Sequence, residues 1–143
     1  MTETTKHQWI RIVLAVLAGF VLGSVVNMGL IALGGSVAPP PAGADTMEGL
    51  AASMPLFEPK HFVFPFLAHA LGTLAGATVA AAIAPARKLA CAMAVGTLFF
   101  LGGVAAVAIL PAPLWFEALD LVAAYFPMAW LGHTLVARRA QAA

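Results

Sequence analysis

The 143-residue chain reads as an all-α integral membrane protein, a bundle of four transmembrane helices. Four apolar runs, from about Trp9 to Leu33, Phe62 to Ala84, Leu89 to Leu110 and Leu114 to Ala137, each exceed the roughly 20 residues that cross a bilayer core as a helix. Only 9% of residues are charged and 62% are hydrophobic, against about 25% charged in a soluble domain. Six of the seven basic residues fall where an even number of crossings brings them to one side. Lipid offers the backbone no hydrogen-bond partner, so each crossing must satisfy its own peptide groups as a helix. The whole chain, 1–143, is one domain, with too little sequence outside the runs to hold another.

The first span, 9–33, opens after Lys6 and contains Arg11. Its basic start and the small residues Ala42-Gly43-Ala44 imitate a signal peptide. The apolar run is longer than the roughly 7–15 residues of a signal core, so it reads as a retained anchor. Lys6, Arg11, Arg87, Lys88, Arg138 and Arg139 then mark the cytoplasmic side, with both termini on it. Asp45, Glu48, Glu58 and Glu117 mark the outer side, with Lys60 their one basic companion.

The outer loop, 34–61, begins with Gly34-Gly35, a helix-stop signal. Pro39-Pro40-Pro41 favours a stiff extended stretch. Asp45 and Glu48 have the spacing of a capping box, so Thr46 to Met54 reads as a short helix. Leu50, Met54 and Phe57 can lay that helix on the membrane surface or over the bundle mouth. We read the loop as a tether, with a lid as the alternative. Phe57, Phe62, Phe64, Phe66 and Trp115 read as an outer aromatic belt, and Trp9 as its inner counterpart.

The second span, 62–84, tolerates Pro65 near its start. The third, 89–110, follows a short turn holding Arg87 and Lys88 and opens near Cys91, the one cysteine, which excludes an internal disulfide and a CxxC centre. The fourth, 114–137, follows Pro111-Ala112-Pro113 and contains Pro127. That proline removes a backbone bond to Ala123 and predicts a kink.

Small residues spaced by four mark close helix contacts in lipid. Gly19 and Gly23 lie in span one, Gly72 and Gly76 in span two, and Gly96 follows Ala92 in span three. These are packing seams. A second copy of the chain can use such a seam as well, so a homo-oligomer is one outcome.

Polar groups inside spans are costly and turn towards the bundle interior. Counting about 1.5 Å per residue from the outer boundaries places Asn27, His69 and Asp120 at one level, roughly 10 Å deep. Glu117 shares a helical face with Asp120, and Thr73 shares one with His69. Tyr125 falls near the kink, on a different face from Asp120. The layer of Asn27, His69, Thr73, Glu117 and Asp120 is therefore the candidate site. It reads equally as a satisfied polar network that sets helix register and as an outward-facing site for a small molecule, lipid or ion. A His–Asp couple also suits acid–base work on a lipid-borne substrate. A third reading is an accessory subunit acting through its Gly stripes.

Several chemistries lack their residues. No local HxxxH or HxxE pair exists, so no metal site is assigned, and His133 lies too far in depth from His69 to share a haem. No cofactor is implied, and the few scattered basic residues give no nucleic-acid footprint. A small multidrug exporter needs a glutamate in span one, a quinone-reducing disulfide former needs cysteine pairs, and a membrane aspartic peptidase needs two intramembrane aspartates. None of these is present.

The stretches Ala68-His69-Ala70-Leu71-Gly72-Thr73-Leu74-Ala75-Gly76, Leu110-Pro111-Ala112-Pro113-Leu114-Trp115-Phe116 and Tyr125-Phe126-Pro127-Met128-Ala129-Trp130 give the chain its family likeness. Over most of its length it resembles small four-helix bacterial membrane proteins to which no activity is attached. The resemblance implies the topology and a bacterial inner membrane, and no substrate.

Overall fold

The structure is a computed structural model that describes residues 3–142. The chain is 85% helix, without strands among the described residues. The helices are α1 (Glu3–Val37), α2 (Met47–Ser53), α3 (Pro59–Ile83), α4 (Lys88–Ile109), α5 (Leu114–Ala123) and α6 (Phe126–Ala142). Four stretches are long and apolar enough to cross a membrane: Thr5–Val37, Pro59–Ile83, Lys88–Ile109 and the α5–α6 pair, Leu114–Ala142.

α1 does not stop at Gly34-Gly35. The Ala38 N–H donates to the Gly34 carbonyl at 2.8 Å, and the helix runs to Val37. Gly34 is instead a contact point, because a side chain there would run into Phe64. The helix ends before Pro39, whose ring disfavours helical backbone at the residue preceding it. The short loop helix α2 is capped by Thr46, whose Oγ1 accepts from the Gly49 N–H at 3.0 Å, so the Asp45–Glu48 capping box does not form. Glu48 still sits in the first turn, where the helix dipole favours an anion. α3 starts a turn earlier than expected, with Pro59 in its first turn and His61 Nδ1 accepting from the Glu58 N–H at 2.9 Å.

α3 is the hub. It packs against α1, α4, α5 and α6, while α1 meets only α3 and α4 extensively. The contact with α1 is antiparallel and close: Gly19 faces Gly76, and Gly23 faces Gly72. A Cβ on Gly76 would lie 2.5 Å from the Gly19 carbonyl oxygen, so these helices touch backbone to backbone. Ala68, Ala77, Ala80 and Ala81 are fully buried and keep the rest of the hub thin. α6 closes on α4 where Gly96 meets Ala129, and on α3 where Gly132 meets Leu74 and Thr78. Cys91 is buried as a small side chain, its Sγ 3.8 Å from the Ala86 carbonyl.

The α3–α4 turn places Arg87 in the left-handed region at φ 52° and ψ 39°. Its guanidinium lies 5.0 Å from the centre of the Trp9 ring.

Span four is broken rather than kinked. α5 ends at Ala123, Ala124 and Tyr125 form a bend, and α6 begins at Phe126. Pro127 therefore lies in the first turn of α6, where an N–H is not needed. At the loop end, Met54, Phe62 and Phe116 form a buried cluster supported by Leu50, Phe57 and Phe66. α2 thus lies over the mouth of the bundle. Phe62 is buried in this packing rather than placed in an aromatic belt, Phe57 and Phe66 pack against it while partly exposed, and Trp115 stays half exposed.

Candidate functional site

α3 carries His69, α5 carries Asp120, and the break after α5 carries Tyr125. His69 Nδ1 lies 2.9 Å from both Asp120 oxygens. The Tyr125 hydroxyl donates to Asp120 Oδ2 at 2.6 Å and is 3.1 Å from His69 Nδ1. The 2.6 Å contact has the length of a charge-assisted O–H···O bond. A carboxylate facing Nδ1 favours a proton there, so Nδ1–H donates, and in the neutral ring Nε2 is the acceptor. Nε2 has no hydrogen bond within the described residues.

Burial is graded across the three. Tyr125 is 1% exposed and Asp120 4%. The His69 side chain, at 23%, is the group the surroundings can reach. Tyr125 fits because Gly103 on α4 leaves room for its ring, which would strike any side chain there. Phe100 meets the same ring edge-on at 5.9 Å between centres.

Tyr125 is the residue that sequence reasoning set aside. On an unbroken helix, residues five apart point about 140° away from each other, which put Tyr125 on another face from Asp120. The bend at Ala124–Tyr125 brings the phenol back. Pro127 signalled a backbone disturbance, and Gly103 was the matching space. Gly132 also went unnoticed, since it has no glycine partner at a spacing of four.

The other candidates do not join this network. Asn27 lies beside Gly72, and its amide has no hydrogen bond among the described residues. The Thr73 hydroxyl and the His133 Nδ1 atom are buried with no hydrogen-bond partner among the described residues. Glu117 has no ion-pair partner among the described residues and lines the loop-side cavity. His61 is engaged as a helix cap, and no described group of three His, Cys, Asp or Glu residues is placed to hold a metal ion.

Two cavities share His69. The larger, about 330 Å³, lies under the loop. Leu50, Met54 and Phe57 line it from the loop, and His69, Glu117 and Asp120 supply ionisable groups among mostly apolar neighbours. The smaller, about 250 Å³, lies between α1 and α4 and includes Ser24, Asn27, Gly102, His69 and Tyr125. The arrangement can hold a hydrogen-bonding group at Nε2 and bury an apolar body beside it.

Comparison with known protein families, with curated proteins and with solved structures finds no match to this chain.

Proposed function

We propose that the chain is a multi-pass protein of a bacterial inner membrane, with both termini cytoplasmic. It binds a small, largely apolar molecule carrying one polar group in the cavity beneath the 34–61 loop. The topology rests on the basic residues at the end of the bundle that holds α1's start, the α3–α4 turn and α6's end. Cysteines introduced singly at the loop and at the termini, on a Cys91→Ala background, test it. A membrane-impermeant thiol reagent applied to intact cells should label only the loop positions.

One observation carries the binding reading. His69, whose Nδ1 is held by Asp120 and whose Nε2 has no hydrogen bond among the described residues, lines a cavity of mainly apolar side chains. Few convergent polar groups in an apolar hollow are what a small-molecule site consists of. Protein purified in nanodiscs should retain such a molecule, detectable by native mass spectrometry. His69→Ala and Ala106→Trp, the latter filling the cavity, should each lose it. Equal retention by all three proteins would refute the reading.

A second reading is acid–base chemistry on a lipid-borne substrate. It is favoured by the carboxylate that orients His69, since a positioned imidazole is the commonest general base. His69 would take or give the proton at Nε2, with Asp120 stabilising the charged ring.

A further inference from the structure

We propose that the groove between α1 and α4 is a lateral entrance and head-group subsite for a hydroxyl-bearing, long-chain lipid, with Asn27 and His69 holding the hydroxyl. This rests on the reading above, that the bundle sits in a membrane and that His69 Nε2 meets a ligand. The groove lies at mid-helix positions, Phe20 to Met28 on α1 and Leu98 to Gly103 on α4. It therefore opens on the side of the bundle, not at an end. Met28, Leu98 and Gly102 on its rim are exposed. In a bilayer that opening faces hydrocarbon, so its occupant arrives from the lipid phase and brings an apolar tail.

The polar lining defines the head. Asn27 is half-buried, and its amide has no hydrogen bond among the described residues. A polar side chain within a span is expensive unless it is satisfied. Ser24 has already given its hydrogen to the Phe20 carbonyl at 2.8 Å. The Asn27 NH₂ donates, and His69 Nε2 accepts. A hydroxyl matches both, because it donates one hydrogen bond and accepts another. An ester or a hydrocarbon end lacks the hydrogen for Nε2, so neither is held by both groups. Since His69 also lines the loop-side cavity, a hydroxyl held here takes the acceptor that a loop-side ligand would use, so one head group at a time occupies the two spaces.

The test uses a long-chain alcohol carrying a diazirine, photolysed with the full chain in phosphatidylcholine vesicles. Labelled peptides should cluster on α1 and α4 around Met28 and Leu98. Excess unlabelled alcohol should compete, and the matching alkane should not. Asn27→Leu should reduce competed labelling about fivefold, the worth of one hydrogen bond. Gly102→Trp should abolish it by filling the groove. A side chain at Gly102 starts into open space, so this variant has no backbone to displace. Leu98→Trp gives a second block. Labelling spread evenly over the lipid-facing surface, or competed labelling that survives both tryptophan variants, overturns the proposal. Competed labelling confined to Leu50 and Met54 also overturns it and leaves the loop-side cavity standing. Competed labelling nowhere overturns the groove, and the native mass spectra then decide the loop-side cavity separately.

Discussion

The Tyr125 hydroxyl lies 2.6 Å from Asp120 Oδ2 because the helix between them is broken, and the bond closes the break from the side of the bundle. Tyr125→Phe removes a donor from a buried carboxylate. Hydrogen bonds to charged groups are worth about 1.5–3 kcal/mol, but couplings between membrane helices average about 0.6. The expected loss is about 1 kcal/mol, read by denaturant unfolding in mixed micelles.

Pro127→Ala restores an N–H that can reach the Ala123 carbonyl and lets α5 run into α6. A continuous helix would swing Tyr125 away from Asp120. Pro127→Ala should therefore cost about as much as Tyr125→Phe, and the double variant should cost no more than either. Additive costs in the same unfolding assay would show that the proline does not govern the hydroxyl.

The glycines should divide sharply by position. At Gly76 an added Cβ meets the Gly19 carbonyl oxygen at 2.5 Å, so Gly76→Val must push α1 from α3, costing about 3 kcal/mol or more. At Gly102 nothing lies within 4 Å, and Gly102→Ala should gain up to about 1 kcal/mol from reduced backbone freedom. Melting temperatures of the two variants should move in opposite directions.

Arg87 sets a backbone cost against a side-chain contact. Its left-handed φ of 52° costs a non-glycine residue about 1–2 kcal/mol, while the cation–π contact with Trp9 returns about 0.5–1. Arg87→Gly loses the contact and relieves the strain, so its melting temperature should be unchanged or slightly raised. Arg87→Ala loses the contact and keeps the strain, so it should melt earlier.

At the loop end, the Lys60 ammonium 3.0 Å from Glu58 holds that carboxyl below the usual carboxylate range. A lowered value means the pair favours the folded state above the carboxylate range and ceases to as pH falls through it. Both side chains are mostly exposed, at 60% and 65%, so solvent screens them. Glu58→Gln should leave the melting temperature at neutral pH almost unmoved. A large drop would mean the pair anchors the loop.

The four apolar stretches were legible because length and hydropathy are local quantities that tertiary contacts cannot revise. Helix ends were less so. Gly34-Gly35 reads as a stop until Phe64 is seen beside it, since a glycine serves a close approach as readily as a cap. The meeting of His69 and Asp120 was legible as matched depth along two helices. Depth carries no information on rotation, and so Asn27 shares the level without joining the bonds, while Glu117 and Thr73 share the faces of Asp120 and His69 but lie a turn away from them in depth. Tyr125 was hidden by the assumption of an unbroken helix, and Gly103 by a spacing rule that seeks pairs.

The position of α3 as hub also fixes an order of birth. A chain made from its amino end completes α1 long before residues 59–83 exist to receive its glycines. Once both are made, Gly19 and Gly23 can find Gly76 and Gly72, and an antiparallel hairpin is the first unit able to settle. His69 is by then already committed to the bundle, while Asp120 and Tyr125 are still to be translated. Until they arrive, a lone imidazole waits without its carboxylate. The last helices thus complete the site as well as the bundle, and a ribosome stalled before Asp120 would leave a hairpin that packs but has no oriented His69.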